Sequence, residues 1–99
     1  MGRIEGGIRM LKIREGFLLR KMMNAHVVVA VGETGMTFNG MIRLNDAGVW
    51  LWQEMQSGIE RAALVEKMLA RYDDLSPAVA QADLDEFIQT VSFALEGEQ

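Results

Sequence analysis

The sequence has no cysteine, one histidine and one proline among its 99 residues. Without cysteine there is no disulfide framework, no thiolate nucleophile and no zinc–sulfur centre. The lone His26 opens an apolar run and has no second imidazole or thiol to work with, so it reads as structural. No apolar run approaches the roughly 18 residues of a membrane span. Residues 1–19 mix Arg, Glu and Gly and lack the apolar stretch of a secretory signal. The glycines of "GETGMTFNG" are not followed by Lys-Ser or Lys-Thr, so they do not form a phosphate loop. Asp83, Asp85 and Glu86 cluster near the start of one predicted helix. The helix macrodipole accounts for them, and they are too few for a metal site. These absences argue against an enzyme, a cofactor and a metal, and fit a cytoplasmic setting.

What is present suits one small α+β domain. Apolar residues make up 49% of the chain, enough to build a core. Residues 1–9, "MGRIEGGIR", are glycine-rich and aperiodic, which predicts a flexible N-terminal segment over 1–10, with Met10 a candidate natural start. The folded domain is expected over 11–96. Residues 17–22, "FLLRKM", read as a strand, and Met23-Asn24 as a turn. Residues 26–31, "HVVVAV", are β-branched and almost continuously apolar, as in a central strand. Residues 32–35, "GETG", read as a turn. A third strand is expected over 37–44, with Ile42 and Leu44 on one face and Met41 and Arg43 on the other.

Three helices follow. Asn45 is an N-cap and Asp46 suits the first helical turn. Leu44, Gly48, Leu51, Trp52 and Met55 share one helix face. Ser57-Gly58 ends this helix. A second helix spans about 60–72, buried through Leu64, Val65, Met68, Leu69 and Tyr72. Ser76-Pro77 starts a third, with Ser as cap and Pro at the first position. It should run to about residue 95 with Ala80, Leu84, Phe87, Ile88, Val91 and Leu95 as its core stripe. Phe93 falls nearly opposite and should be exposed. The fold class is therefore α+β and winged-helix-like: an N-terminal three-stranded antiparallel sheet, then a three-helix bundle.

Charge separates the two halves. Residues 1–44 carry seven Lys/Arg and three acids, and residues 45–99 three Lys/Arg and eleven acids. Residues 77–99 hold five acids and neither Lys nor Arg. A winged-helix reader of that composition would repel phosphates, which argues against nucleic acid. Trp52 belongs to the core stripe, and Trp50 should be partly exposed. The remaining option is recognition by shape. An edge strand ending at Leu44 could accept an extended peptide as an added strand. Asp83, Phe87, Thr90 and Ala94 lie on one helix flank that would wall such a groove. A nucleic-acid binder and a structural homodimer stay open as alternatives.

The stretch "RLNDAGVWLW" resembles the Leu-Asn-x-x-Gly-x-x-Ile-Trp motif of the PqqD-like family, matched by Leu44, Asn45, Gly48, Leu51 and Trp52. "GFLLRKM", "HVVVAVG" and "LVEKMLARYDDLSPAVAQADLDEFI" follow the family's order, so the likeness covers about residues 11–95. The resemblance implies a precursor peptide recognition element. Such domains bind the leader of a ribosomally made peptide and present it to a modifying enzyme, for example a radical S-adenosylmethionine protein. The leader would lie along Met41, Ile42, Arg43 and Leu44, against Asp83, Phe87, Thr90 and Ala94. Two departures stand out. Ile59 occupies the usual Thr or Ser position at the start of the second helix, which leaves the cap to Ser57 or Gly58. The sequence also reads "ALEGEQ" in place of a Gly-Leu-Leu tail, which would leave Phe93 free for an oligomer contact.

Overall fold

Alternating and β-branched residues build the sheet first. The computed structural model describes residues 10–37 and 40–96. β2 (Phe17–Met22) and β3 (Ala25–Ala30) form an antiparallel hairpin, and β4 (Met41–Leu44) pairs antiparallel with β3 on its other side. Met23 takes φ 57° at the hairpin turn. The register sets Phe17 opposite Ala30, Leu19 opposite Val28, and Val28 opposite Ile42. Those side chains share one face, because successive residues of a strand point to opposite sides. That face is the core face: Phe17 and Val28 are buried and Leu19, Ala30 and Leu44 pack against the core. The outer face carries Leu18, Met22 and Met41, all exposed. Val27 also points outward yet is buried. Its ladder neighbours are Arg20 and Arg43, whose aliphatic stems can shield it.

The segment after β3 departs from the expected turn. Residues Gly32–Thr37 form a single short helix, α1. Gly32 at φ 62° turns the chain off the sheet, and Gly35 N–H then donates to the Val31 carbonyl at 3.3 Å. A turn and one helical turn share this local geometry, so the two glycines suggested the former. β4 consequently starts at Met41, not at residue 37. Phe38 and Asn39 lie outside the described residues.

Asn45 caps α2 (Asp46–Gln56): its backbone is extended and its side-chain oxygen accepts from Gly48 N–H at 2.8 Å. Gly48, Leu51, Trp52 and Met55 form the buried stripe. Gly58 at φ 94° closes the helix in the left-handed region, where glycine is the easy choice. Asn45→Ala should cost about 1 kcal/mol. Urea unfolding checks it: the midpoint should fall while the m-value stays constant.

The lead into the next helix was not foreseen. β5 (Ile59–Glu60) pairs antiparallel with β1 (Met10–Leu11) to make a separate two-stranded sheet. α3 (Arg61–Arg71) then starts from Glu60, without a side-chain cap bond. Neither Ser57 nor Gly58 caps it, because the chain spends 59–60 in the ladder first. Met10, expected in the flexible segment, is part of β1, and residues 1–9 lie outside the described residues. Leu11 and Ile13 are core residues. Ile13 N–H donates to the Met55 carbonyl and Arg14 N–H to that of Ala94, at 3.0 and 2.7 Å.

Ser76 caps α4 (Pro77–Thr90) through its hydroxyl, which accepts from Val79 N–H at 3.2 Å. The helix stops at Thr90, short of the expected 95. Ser92–Ala94 tighten into a 3₁₀ turn, and Leu95 bridges back to Ile13. Phe93 is not free: it is partly buried against the core, its ring 5.3 Å from that of Phe17 and nearly perpendicular to it. Arg14 also donates to the Phe93 carbonyl at 2.9 Å. Ion pairs fasten the helices, Arg61 to Asp85 at 2.5 Å between α3 and α4, and Lys67 to Glu54 at 2.9 Å between α3 and α2. The mixed α+β architecture with a three-stranded antiparallel sheet thus stands, with α1 a fourth helix among the described residues.

Candidate functional site

β4 is an edge of the three-stranded sheet. Half of its backbone N–H and C=O groups therefore point away from β3, ready for another strand. Its side chains alternate as exposed Met41, half-buried Ile42, exposed Arg43 and half-buried Leu44. Beside its C-terminal end lies a groove of about 370 Å³ between β4, the first turns of α2 and one flank of α4. Arg43, Leu44 and Asn45 form one wall, and Asp83, Glu86, Phe87 and Thr90 form the other. Ala47, Gly48 and Leu51 line its α2 side.

Gly48 sets how closely these elements approach. A Cβ at this position would lie 3.3 Å from Leu44 Cβ, 3.3 Å from Asn45 Oδ1 and 3.3 Å from Phe87 Cε1. All three contacts are tight, and they come from the strand end, the cap and α4. Glycine lets α2 sit under β4 and α4 at once. The helix-propensity cost of up to about 1 kcal/mol is the counterpart of that packing.

The groove's charges are mixed. Arg43 stands on the strand side and Asp83 and Glu86 on the helix side, and none of them makes an ion pair with another described residue. Charges of both signs are thus left to a ligand. Thr90 is turned back on its own helix, its hydroxyl donating to the Glu86 carbonyl at 3.0 Å.

Of the predicted groove residues, Arg43, Leu44, Asp83, Phe87 and Thr90 come together around this cavity. Met41 and Ile42 belong to the same strand but not to the cavity lining, and Ile42 faces inward. Ala94 does not belong. It is wholly buried in the 3₁₀ turn, where its carbonyl accepts from Arg14 N–H. Its placement assumed that α4 continued past Thr90. Of the motif residues, Asn45 caps α2, Gly48 is buried on its inner face, and Leu51 and Trp52 belong to the core; the first three also line the groove. Ala47 and Glu86 were missed. Glu86 was findable, since it lies three residues after Asp83 and four before Thr90 on one helical flank.

A second cavity of about 290 Å³ opens between α2, α3 and α4, sharing Ala47, Leu51 and Asp83 with the first. Trp50 and Tyr72 form part of its wall, their rings 6.3 Å apart and nearly perpendicular. Among the described residues no group of three or more His, Cys, Asp or Glu could hold a metal ion, and no helix is long and apolar enough to cross a membrane. The groove's chemistry is that of backbone pairing, an apolar floor and charges of both signs left unpaired among the described residues.

Comparison with known proteins identifies a family and a shared fold. The family description "Coenzyme PQQ synthesis protein D (PqqD)" matches residues 25–92, more than half of the chain. No curated protein matches. A solved structure, TbiB1 in complex with the TbiA(beta) leader peptide, superposes with a TM-score of 0.70 at 18% identity. The match covers 89% of this chain and 98% of that one, and at this identity it establishes a shared fold.

Proposed function

Because the chain belongs to the PqqD family, we propose that it is a peptide-binding accessory protein that holds the leader of a ribosomally made precursor. The carrying observation is the unpaired edge of β4 beside a groove walled by α4. Strand addition there would supply affinity through the main chain and specificity through side-chain pockets. The site in this reading is Met41, Ile42, Arg43 and Leu44 on the strand, with Asp83, Phe87 and Thr90 across the groove. The structural relative bound to a leader peptide supports the same class of ligand. The protein would be non-catalytic and would work in the cytoplasm beside a peptide-modifying enzyme, such as a radical S-adenosylmethionine protein. We read the packing of α2–α4 beside the small sheet as winged-helix-like. The acidic α4 disfavours nucleic acid as a partner.

The test is a titration of ¹⁵N-labelled protein with synthetic peptides taken from short reading frames beside its gene. Amide shifts should gather at residues 40–45 and on the Asp83–Phe87–Thr90 flank. Shifts centred on α3 would overturn the assignment. A second reading, a homodimer joined through the sheet, is favoured by the exposure of Leu18, Met22 and Met41 on its outer face. The mass in solution discriminates the two.

A further inference from the structure

We propose that the cavity between α2, α3 and α4 is a second anchor for the same peptide, taking a bulky apolar side chain that stands next to a Lys or Arg. This rests on the leader-binding reading above and extends it past the paired strand. The cavity shares Ala47, Leu51 and Asp83 with the groove, so a chain leaving β4 at Leu44 meets it next. At about 290 Å³ it holds far more than the roughly 30 Å³ share of one water and is large enough for a single side chain.

Its chemistry selects that occupant. Trp50, Leu51, Met68, Tyr72 and Leu75 give an apolar lining. The aromatic walls are held in place. The Arg71 guanidinium lies 4.9 Å from the Trp50 ring centroid and 5.6 Å from that of Tyr72, and Arg71 Nε donates to the Tyr72 hydroxyl at 3.2 Å. Walls fixed before binding spare a ligand the entropy of ordering them. The polar groups at this cavity point to the neighbouring charge. Asp74 and Asp83 line it, and neither makes an ion pair among the described residues. Asp85 and Glu54, on the same helices as the cavity wall, are already paired with Arg61 and Lys67. Against the single Arg71 guanidinium, which is turned onto the aromatic rings, the two unpaired carboxylates leave the cavity edge net negative, which favours an apolar group flanked by a cation and disfavours one flanked by an acid.

Three capped dipeptides test this without knowledge of the natural leader: acetyl-Phe-Lys-amide, acetyl-Phe-Glu-amide and acetyl-Gly-Lys-amide, titrated into ¹⁵N-labelled protein at low salt. Acetyl-Phe-Lys-amide should shift the Trp50 indole N–H and the amides of Tyr72 and Leu75. It should bind about fivefold more tightly than acetyl-Phe-Glu-amide, the size of one exposed charge pair. Acetyl-Gly-Lys-amide should leave those signals unmoved. Asp74→Lys, an exposed loop change that spares the core, should abolish or reverse the preference. The proposal is overturned if acetyl-Phe-Lys-amide leaves these signals still, if its shifts centre on residues 41–44, or if Asp74→Lys leaves the preference intact. The groove reading fails separately, through unmoved β4 amides in the leader titration. Either result can occur without the other.

Discussion

Replacing Trp52 with alanine should remove about 3–5 kcal/mol of the protein's stability. The side chain is 0% exposed and sits among Met55, Leu64, Leu84 and Val91, which are likewise fully buried. Truncating a buried aromatic to alanine costs about 3–5 kcal/mol, because transfer energy is lost and a cavity remains. A small domain has about 5–15 kcal/mol in total. Urea unfolding followed by circular dichroism should therefore show a midpoint lowered by at least about a fifth, and at the low end of that stability range a chain unfolded without denaturant. Trp52→Phe is the informative companion. The indole N–H of Trp52 is buried and has no hydrogen-bond partner among the described residues. An unsatisfied buried donor costs about 1–3 kcal/mol, and phenylalanine removes it while creating a smaller void. The loss for Trp52→Phe should accordingly stay below about 2 kcal/mol. Both variants delete the indole N–H, so the difference between their losses reads the larger void left by alanine; a loss well above about 2 kcal/mol for Trp52→Phe would show that the indole nitrogen carries no penalty.

The largest expected effect on binding comes from Gly48→Leu. The new side chain would start 3.3 Å from Leu44, Asn45 and Phe87 and would have to grow into the groove that Gly48 lines. Overpacking of this kind costs about 1–3 kcal/mol of stability, so the variant should still fold at room temperature. Filling the groove should weaken leader binding by at least about tenfold, or 1.4 kcal/mol. Gly48→Ala separates the two effects. Its Cβ is tight but small, and the gain in helix propensity of about 1 kcal/mol should nearly offset the crowding. Calorimetric titration with a leader peptide, alongside urea unfolding, reads both quantities. Unchanged affinity in Gly48→Leu, with the fold intact, would place the peptide elsewhere.

The features legible in the sequence are those fixed by local chemistry. Ser76-Pro77 and Asn45 cap their helices because their side chains and backbones suit those positions whatever packs nearby. β2 and the central β3 follow from β-branched and apolar residues in short runs bounded by turn residues. β1 and β5 were illegible because a two-residue strand has no period, and only the partner across the fold makes it a strand. The end of α4 misled for a different reason. Val91, Ala94 and Leu95 keep helical spacing and pack in or against the core, but they do so through a 3₁₀ turn and a bridge to Ile13. Apolar spacing reports burial and not the backbone that achieves it. The groove inherited the same error: Arg43, Leu44, Asp83, Phe87 and Thr90 gather as the spacing implied, whereas Ala94, beyond the true helix end, does not.

The first and last described segments of the folded unit are stitched together. Glu96 N–H donates to the Lys12 carbonyl at 2.8 Å, one step from the Ile13–Leu95 bridge. Entry and exit of the folded unit are thus neighbours. A module with adjacent ends can be spliced into a surface loop of a larger protein without prying that protein apart. By the same geometry, a permuted chain that joins residue 96 to residue 10 and opens at the exposed Met23–Asn24 hairpin keeps every strand pair.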